Sequence, residues 1–315
     1  MKTHQLLLSL ALTLAVLPSA GATASARDTP NDGISTHMVV TVEARHGSSV
    51  PVVNREDVLV YQGHDRDKVT EWIPAQSDHA GLELFILIDD GSSPNLGVQL
   101  DDIRKFINSQ PSSTKIGIAY MQDGTAKIVQ DLTSDHVAAA KALRLPVGMG
   151  GVNASPYFSL QDLIKRWPLT YSRREVFMAT DGIDRYYGSA DLQNPYVAQA
   201  IDMAQQEGVI VYAIYTPGEG HFSHSYWQTY WGQLYLAQVA DQTGGESYYI
   251  GMNGMPVAFA PFLEDAANRW NHQYLLTFLA KPPKKSGMQQ VKLRTEVPNA
   301  ELVAADKVYL TALPR

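Results

Sequence analysis

No cysteine occurs anywhere in the chain. Disulfides, thiol catalysis, a lipid-modified cysteine and cysteine-based zinc sites are all excluded by that absence, so stability has to come from packing alone. The longest apolar run, Leu6 to Leu17, falls short of the roughly 18 to 20 residues that a membrane-spanning helix needs. Basic clusters are scarce as well: Lys281, Lys284 and Lys285 in "KPPKK" form the densest one, and it reads as a solvated hairpin loop. With 25 Lys and Arg against 32 Asp and Glu, a net charge of −7, the chain is a poor candidate for nucleic acid. Gly-x-Ser-x-Gly, the Walker loop and His-Glu-x-x-His are absent, and "GMGGVN" at 148–153 lacks the third glycine of a dinucleotide fingerprint.

What is present begins with an export signal. Lys2 and His4 precede the apolar run, and Ala-x-Ala spacing follows at Ala20/Ala22 and Ala24/Ala26. Residues 1–26 therefore read as a secretory signal peptide, and the mature protein as periplasmic or secreted, with no transmembrane segment. A retained membrane anchor is the alternative, disfavoured by its length. Removing these residues takes away one lysine and no acid, which leaves a mature charge of −8. Residues 27–36, "RDTPNDGIST", have no apolar period and read as a flexible leader.

From Met38 the period is two, with Val40, Val42 and Ala44 on one face; "DVLVYQG" (57–63) and "KVTEWIP" (68–74) add two more short strands. After Gly81 strands alternate with helical periods. "LELFILI" (82–88), "KIGIAYM" (115–121), "EVFMAT" (175–180) and "GVIVYAIY" (208–215) are nearly all apolar, as strands covered on both faces are. Between them Leu100/Ile103/Ile107, Leu160/Leu163/Ile164/Trp167 and Val197/Ala200/Ile201/Ala204 recur at helical spacing. That alternation predicts a doubly wound, mostly parallel α/β domain over 80–271, with one antiparallel hairpin turning at Asp123-Gly124. Strands then run alone again to the C terminus. Neither flank can bury a core by itself, so residues 37–77 and 272–315 are expected to assemble one β-sandwich into which the α/β domain is inserted.

In such a sheet function gathers where the strands end. Asp89 ends the first α/β strand and Asp181 ends another, with Gly182 behind it. Two carboxylates at one sheet edge repel each other unless a cation sits between them, and nearby hydroxyls would complete an oxygen shell for Mg²⁺ or another divalent cation such as Ca²⁺. The metal-free alternative has Asp89 capping a turn and Asp181 accepting from backbone amides.

"FILIDDGSS", "GGVNAS" and "VFMATDG" resemble, in order and spacing, the motifs of the von Willebrand factor A domain. The resemblance implies a Rossmann-like fold and a metal-ion-dependent adhesion site, here degenerate: Asp89, Ser93 and Asp181 match, but Gly91 and Val152 stand where oxygen ligands are expected. In that family an open position on the cation receives a carboxylate of a protein partner. The flanks "VVTVEARHGSSVPVVNREDVLVYQG" and "QYLLTFLA" resemble the exported VWFA-related proteins typical of Acidobacteria.

One segment, "GEGHFSHSYWQTYWGQLY" (218–235), is unusually aromatic. Its His221, His224, Tyr226, Trp227 and Trp231 are candidates for partner contact, against the plainer reading of surface histidines and core-packing aromatics. The expected function is a non-catalytic protein-binding module of adhesion or scaffold type, acting through the loop rim with weak or absent metal dependence. A structural subunit using sandwich edges is the alternative, with a metal-dependent hydrolase behind it.

Overall fold

The computed structural model describes residues 33–94, 96–170, 172–188, 193–218, 226–248 and 258–312. The signal-peptide segment, most of the leader and both His221 and His224 lie outside them.

The α/β part holds a six-stranded sheet. Its strands are β4 (Leu82–Asp89), β5 (Thr114–Gln122), β6 (Thr125–Thr133), β7 (Arg173–Thr180), β8 (Val209–Tyr215) and β9 (Ser247–Tyr248). The order is β6-β5-β4-β7-β8-β9, parallel except for the hairpin strand β6. Strand β4 is flanked by β5 on one side and by β7 on the other, so the direction of winding reverses there. Its burial on both faces explains the nearly all-apolar run, unbroken from Leu84 to Ile88. Leu84, Ile86 and Ile88 join a core under α1 (Gly97–Ser109) and α6 (Ala260–Asn271), while Phe85 and Leu87 join one under α3 (Pro156–Arg166), α4 (Pro195–Glu207) and α5 (Tyr226–Thr243). A short α2 (His136–Lys141), capped by Asp135 accepting from Ala138 N, was not legible in the apolar period.

The flanking strands interleave. The first three are β1 (Ile34–Ala44), β2 (Val58–Gln62) and β3 (Asp65–Pro74); the C-terminal ones are β10 (Gln273–Ala280), β11 (Gly287–Gln290), β12 (Lys292–Thr295), β13 (Ala300–Val303) and β14 (Lys307–Leu310). Six of them form one antiparallel sheet in the order β12-β2-β3-β10-β1-β13, and β11 pairs with β14 in a second, two-stranded sheet. Strands β12 and β13 stand at opposite ends of that order yet are joined by residues 296–299. Laid flat, six strands put their edges about 24 Å apart, whereas five Cα steps reach about 18 Å at most. The sheet therefore curls, and Val40, Val60, Leu276, Phe278, Val308 and Leu310 share the core it encloses.

The leader is shorter than its composition suggests. Strand β1 begins at Ile34 because Ile34, Ser35 and Thr36 are laddered to Ala280, Leu279 and Phe278 of β10, a partner no local pattern reveals.

The two parts meet at the opposite end of β4 from Asp89. Arg173 of β7 donates to Ala80 O on the incoming strand connection and to Trp270 O and Gln273 on the outgoing one. Arg269 reaches Glu43, Glu246 and Asp265 at once, tying β1 to α6 and to the segment before β9.

Candidate functional site

The carboxyl ends of β4 and β7 bring Asp89 and Asp181 together at the point where the winding reverses. Asp89 Oδ1 accepts from Gly91 N at 2.8 Å and Oδ2 from Thr180 Oγ1 at 2.7 Å. Asp181 Oδ1 accepts from Ile183 N at 2.9 Å, and its Oδ2 forms an ion pair with Arg185 Nη2 at 2.6 Å. Both aspartates are buried. Burial first, then the charge of Asp181, raises the pKa of Asp89; the bonds from Thr180 and Gly91 and the nearby Arg185 charge oppose the rise. Burial works against the charge of Arg185, but Asp181 and Asp89 outweigh it and hold the guanidinium protonated.

Ser93, the third candidate ligand, lies buried in the same turn, with its N–H on Pro217 O at 3.1 Å. Its neighbour Ser92 bonds Thr216 Oγ1 at 2.8 Å, so the loop after β4 is stitched to the loop after β8. Ser155 caps α3, accepting from Phe158 N at 3.4 Å. Asp90, wholly buried, is held bidentately by Arg144 at 2.6 and 2.7 Å, and that guanidinium lies 3.8 Å over the Tyr120 ring. Residue spacing gave no warning of the Arg144 and Arg185 pairings.

These donors do not fit a divalent cation as they stand. Gly91 and Val152 supply no side-chain oxygen, and all four oxygens of Asp89 and Asp181 already accept hydrogen bonds from within the chain, one of them from the cationic Arg185. Among the described residues no group of three or more His, Asp or Glu side chains is arranged to hold a metal.

Glycine sets the shape of the rim. At Gly182 φ is +70°, and a Cβ there would sit 2.4 Å from Gly232 O; a Cβ on Gly232 would sit 2.1 Å from Asp181 O. Helix α5 thus lies backbone to backbone against the Asp181 loop. That contact places Trp231 and Tyr235 beside Arg185, and with Val152, Ile183 and Gln228 they line a pocket of 390 Å³.

On the segments that supply this pocket's lining, large apolar side chains face solvent. Met149 is 73% exposed, Val152 91% and Trp227 66%, with Leu145, Val147, Tyr186, Tyr226 and Tyr230 also exposed. Met149 N donates to Asp90 O, which fixes the 145–152 loop against the end of β4. The aromatic segment therefore divides: Tyr226 and Trp227 point outward, whereas Trp231 packs against Tyr235 and the core while lining the pocket. The 145–152 contribution was missed in the sequence, although Leu145, Val147, Met149 and Val152 in a glycine- and proline-containing stretch are a usable signal.

Among solved structures the chain is similar to an aerotolerance-related membrane protein from Bacteroides fragilis NCTC 9343, at 14% identity and a TM-score of 0.40, over 61% of this chain and 99% of that one. It is similar to the SpRpn10 VWA domain at 14% identity and 0.37, over 59% and 94%. A third is the pilus adhesin RrgA from Streptococcus pneumoniae, at 13% and 0.27, over 46% and 25%. No known family description matches the chain, and no curated protein matches it. No helix among the described residues is long and apolar enough to cross a membrane.

Proposed function

We propose that this protein is an exported, non-catalytic protein-interaction module of von Willebrand A type, a degenerate relative of the VWFA-related proteins. Its working surface is the loop rim at the carboxyl ends of the parallel strands, with weak or absent dependence on a divalent cation. The observation that carries the reading is that exposed Val152 lines the pocket at that rim while exposed Met149, Tyr186, Tyr226 and Trp227 stand within two residues of others that line it. Exposed large apolar side chains gathered on the segments beside a pocket mark an interaction site. A non-catalytic role is supported by the internal commitment of each rim carboxylate. The alternative, assembly through sandwich edges, is weakened by the curling that brings edge strands β12 and β13 together.

The test is quantitative capture from an envelope extract of the source organism, using wild type, a rim variant (Met149→Ser, Val152→Ser, Trp227→Ser) and a sandwich variant (Val52→Ser, Tyr309→Ser). Partners lost only with the rim variant support the reading. Capture that survives the rim variant and fails with the sandwich variant refutes it.

A further inference from the structure

We propose that Arg185 is a tethered replacement for a metal ion: its guanidinium is the fixed cation that balances Asp89 and Asp181, so the rim carries its counter-charge permanently instead of binding one from solution. Two carboxylates buried at 5% and 1% exposure need a positive partner in place. Arg185 Nη2 supplies it on Asp181 Oδ2 at 2.6 Å, and its charge also acts on Asp89.

The surroundings are shaped to this arrangement. Arg185 N donates to Ala154 O at 3.0 Å, which anchors its backbone to the segment leading into α3 and leaves the side chain to reach back four residues. Gly218, after β8, lies flat on the ion pair: a Cβ there would stand 2.4 Å from Asp181 Oδ2 and 2.9 Å from Arg185 Nη2. Gly91 is pressed less hard, since a Cβ would stand 3.1 Å from Asp89 Oδ1 and 3.3 Å from Gly150 N. A ligating hydroxymethyl at 91 would require the Gly150 segment to give by a few tenths of an ångström, and Val152 stands 91% exposed. The residues at 91 and 152 leave the cation's place without two side-chain ligands, and the arginine at 185 supplies the positive charge there instead.

The proposal rests on the rim as working surface only for its biological meaning; its chemistry is tested on the purified protein without any partner, so partner capture can fail without touching it. Thermal melts and titration calorimetry are run with Mg²⁺, Mn²⁺ and Ca²⁺ chlorides at millimolar concentration, with NaCl of matched ionic strength and EDTA as controls. Wild type and Arg185→Lys, which keeps the positive charge, are expected to show no saturable binding and no metal-specific change in Tm. Arg185→Ser removes both charge and bulk. It is expected to melt several degrees lower in EDTA and to recover at least half of that loss in Mn²⁺, a recovery that Arg185→Ser/Asp181→Asn loses. If Arg185→Ser is not recovered folded, Arg185→Gln carries the same expectation. Saturable divalent binding by wild type overturns the proposal, as does a charge-removing variant that ignores all three ions.

Discussion

Glu175 gives the sharpest quantitative test of the packing. It sits in β7 with no exposed surface, on the face covered by α6, and neither of its carboxylate oxygens makes a hydrogen bond of acceptable geometry. Burial pushes its pKa from 4.5 to about 7, against opposing contributions from Arg173 and Gln273. Between those two values the folded protein binds a proton that the unfolded chain releases, so stability falls as pH rises through this window and the full cost is present above it. At 1.36 kcal/mol per pH unit the cost is about 3 kcal/mol. Glu175→Gln keeps the shape and removes the charge. Urea unfolding at fixed ionic strength is expected to show the variant close to wild type near the bottom of the window and more stable by about 3 kcal/mol above its top. Asp67 and Glu43 also have raised values and contribute slopes of the same sign, but the wild-type-minus-variant difference cancels them. A difference that stays constant with pH, or a variant that is less stable at alkaline pH, would falsify the assignment, because it would mean that Arg173 keeps Glu175 ionised at no net cost.

Gly218→Ala drives a methyl into the Asp181–Arg185 pair and is expected to cost about 1–3 kcal/mol in chemical denaturation; an unchanged midpoint would show that the loop after β8 yields freely. Arg269→Met leaves Glu43, Glu246 and Asp265 facing one another; the expected loss is about 2–3 kcal/mol at neutral pH, less than for a fully buried pair because Glu246 and Asp265 reach solvent, and acid should shrink it. Trp227→Ala, at an outward position, is expected to leave stability within about 0.5 kcal/mol while abolishing partner capture, and a large drop in Tm would instead make Trp227 a packing residue.

The parallel sheet was legible because its chemistry is local. A strand buried on both faces favours an apolar run, and Leu84–Ile88, Val176–Ala179 and Val209–Tyr215 are such runs. Helix faces at 160–167 and 197–204 were legible for the same reason. What escaped depends on distant partners or on short lengths. Strand β1 starts at Ile34 because β10 is there to receive it, and β11 has only four residues. Asp89 and Asp181 could be placed at strand ends, but nothing in their spacing shows that Asp90 pairs with Arg144, 54 residues on. Arg185 is four residues after Asp181, a spacing that implies contact on a helix; here the chain is irregular, and the contact depends on the anchoring of Arg185 N to Ala154 O.

The position of the joint explains how one small sheet can serve two purposes. Both chain crossings between the parts, at Ala80 and at Trp270 to Gln273, lie at the start of β4 and β7, where Arg173 binds them together. The rim lies at the other end, eight residues along β4, or about 26 Å at 3.3 Å per residue. The charges that act on Asp89 and Arg185 are those of the rim itself, Asp181's and each other's, so the charge balance there is set locally, by the arginine that folds back onto it. A surface neutralised from within its own loop can vary its exposed apolar residues without disturbing the strands beneath, which separates what the rim contacts from what keeps it folded.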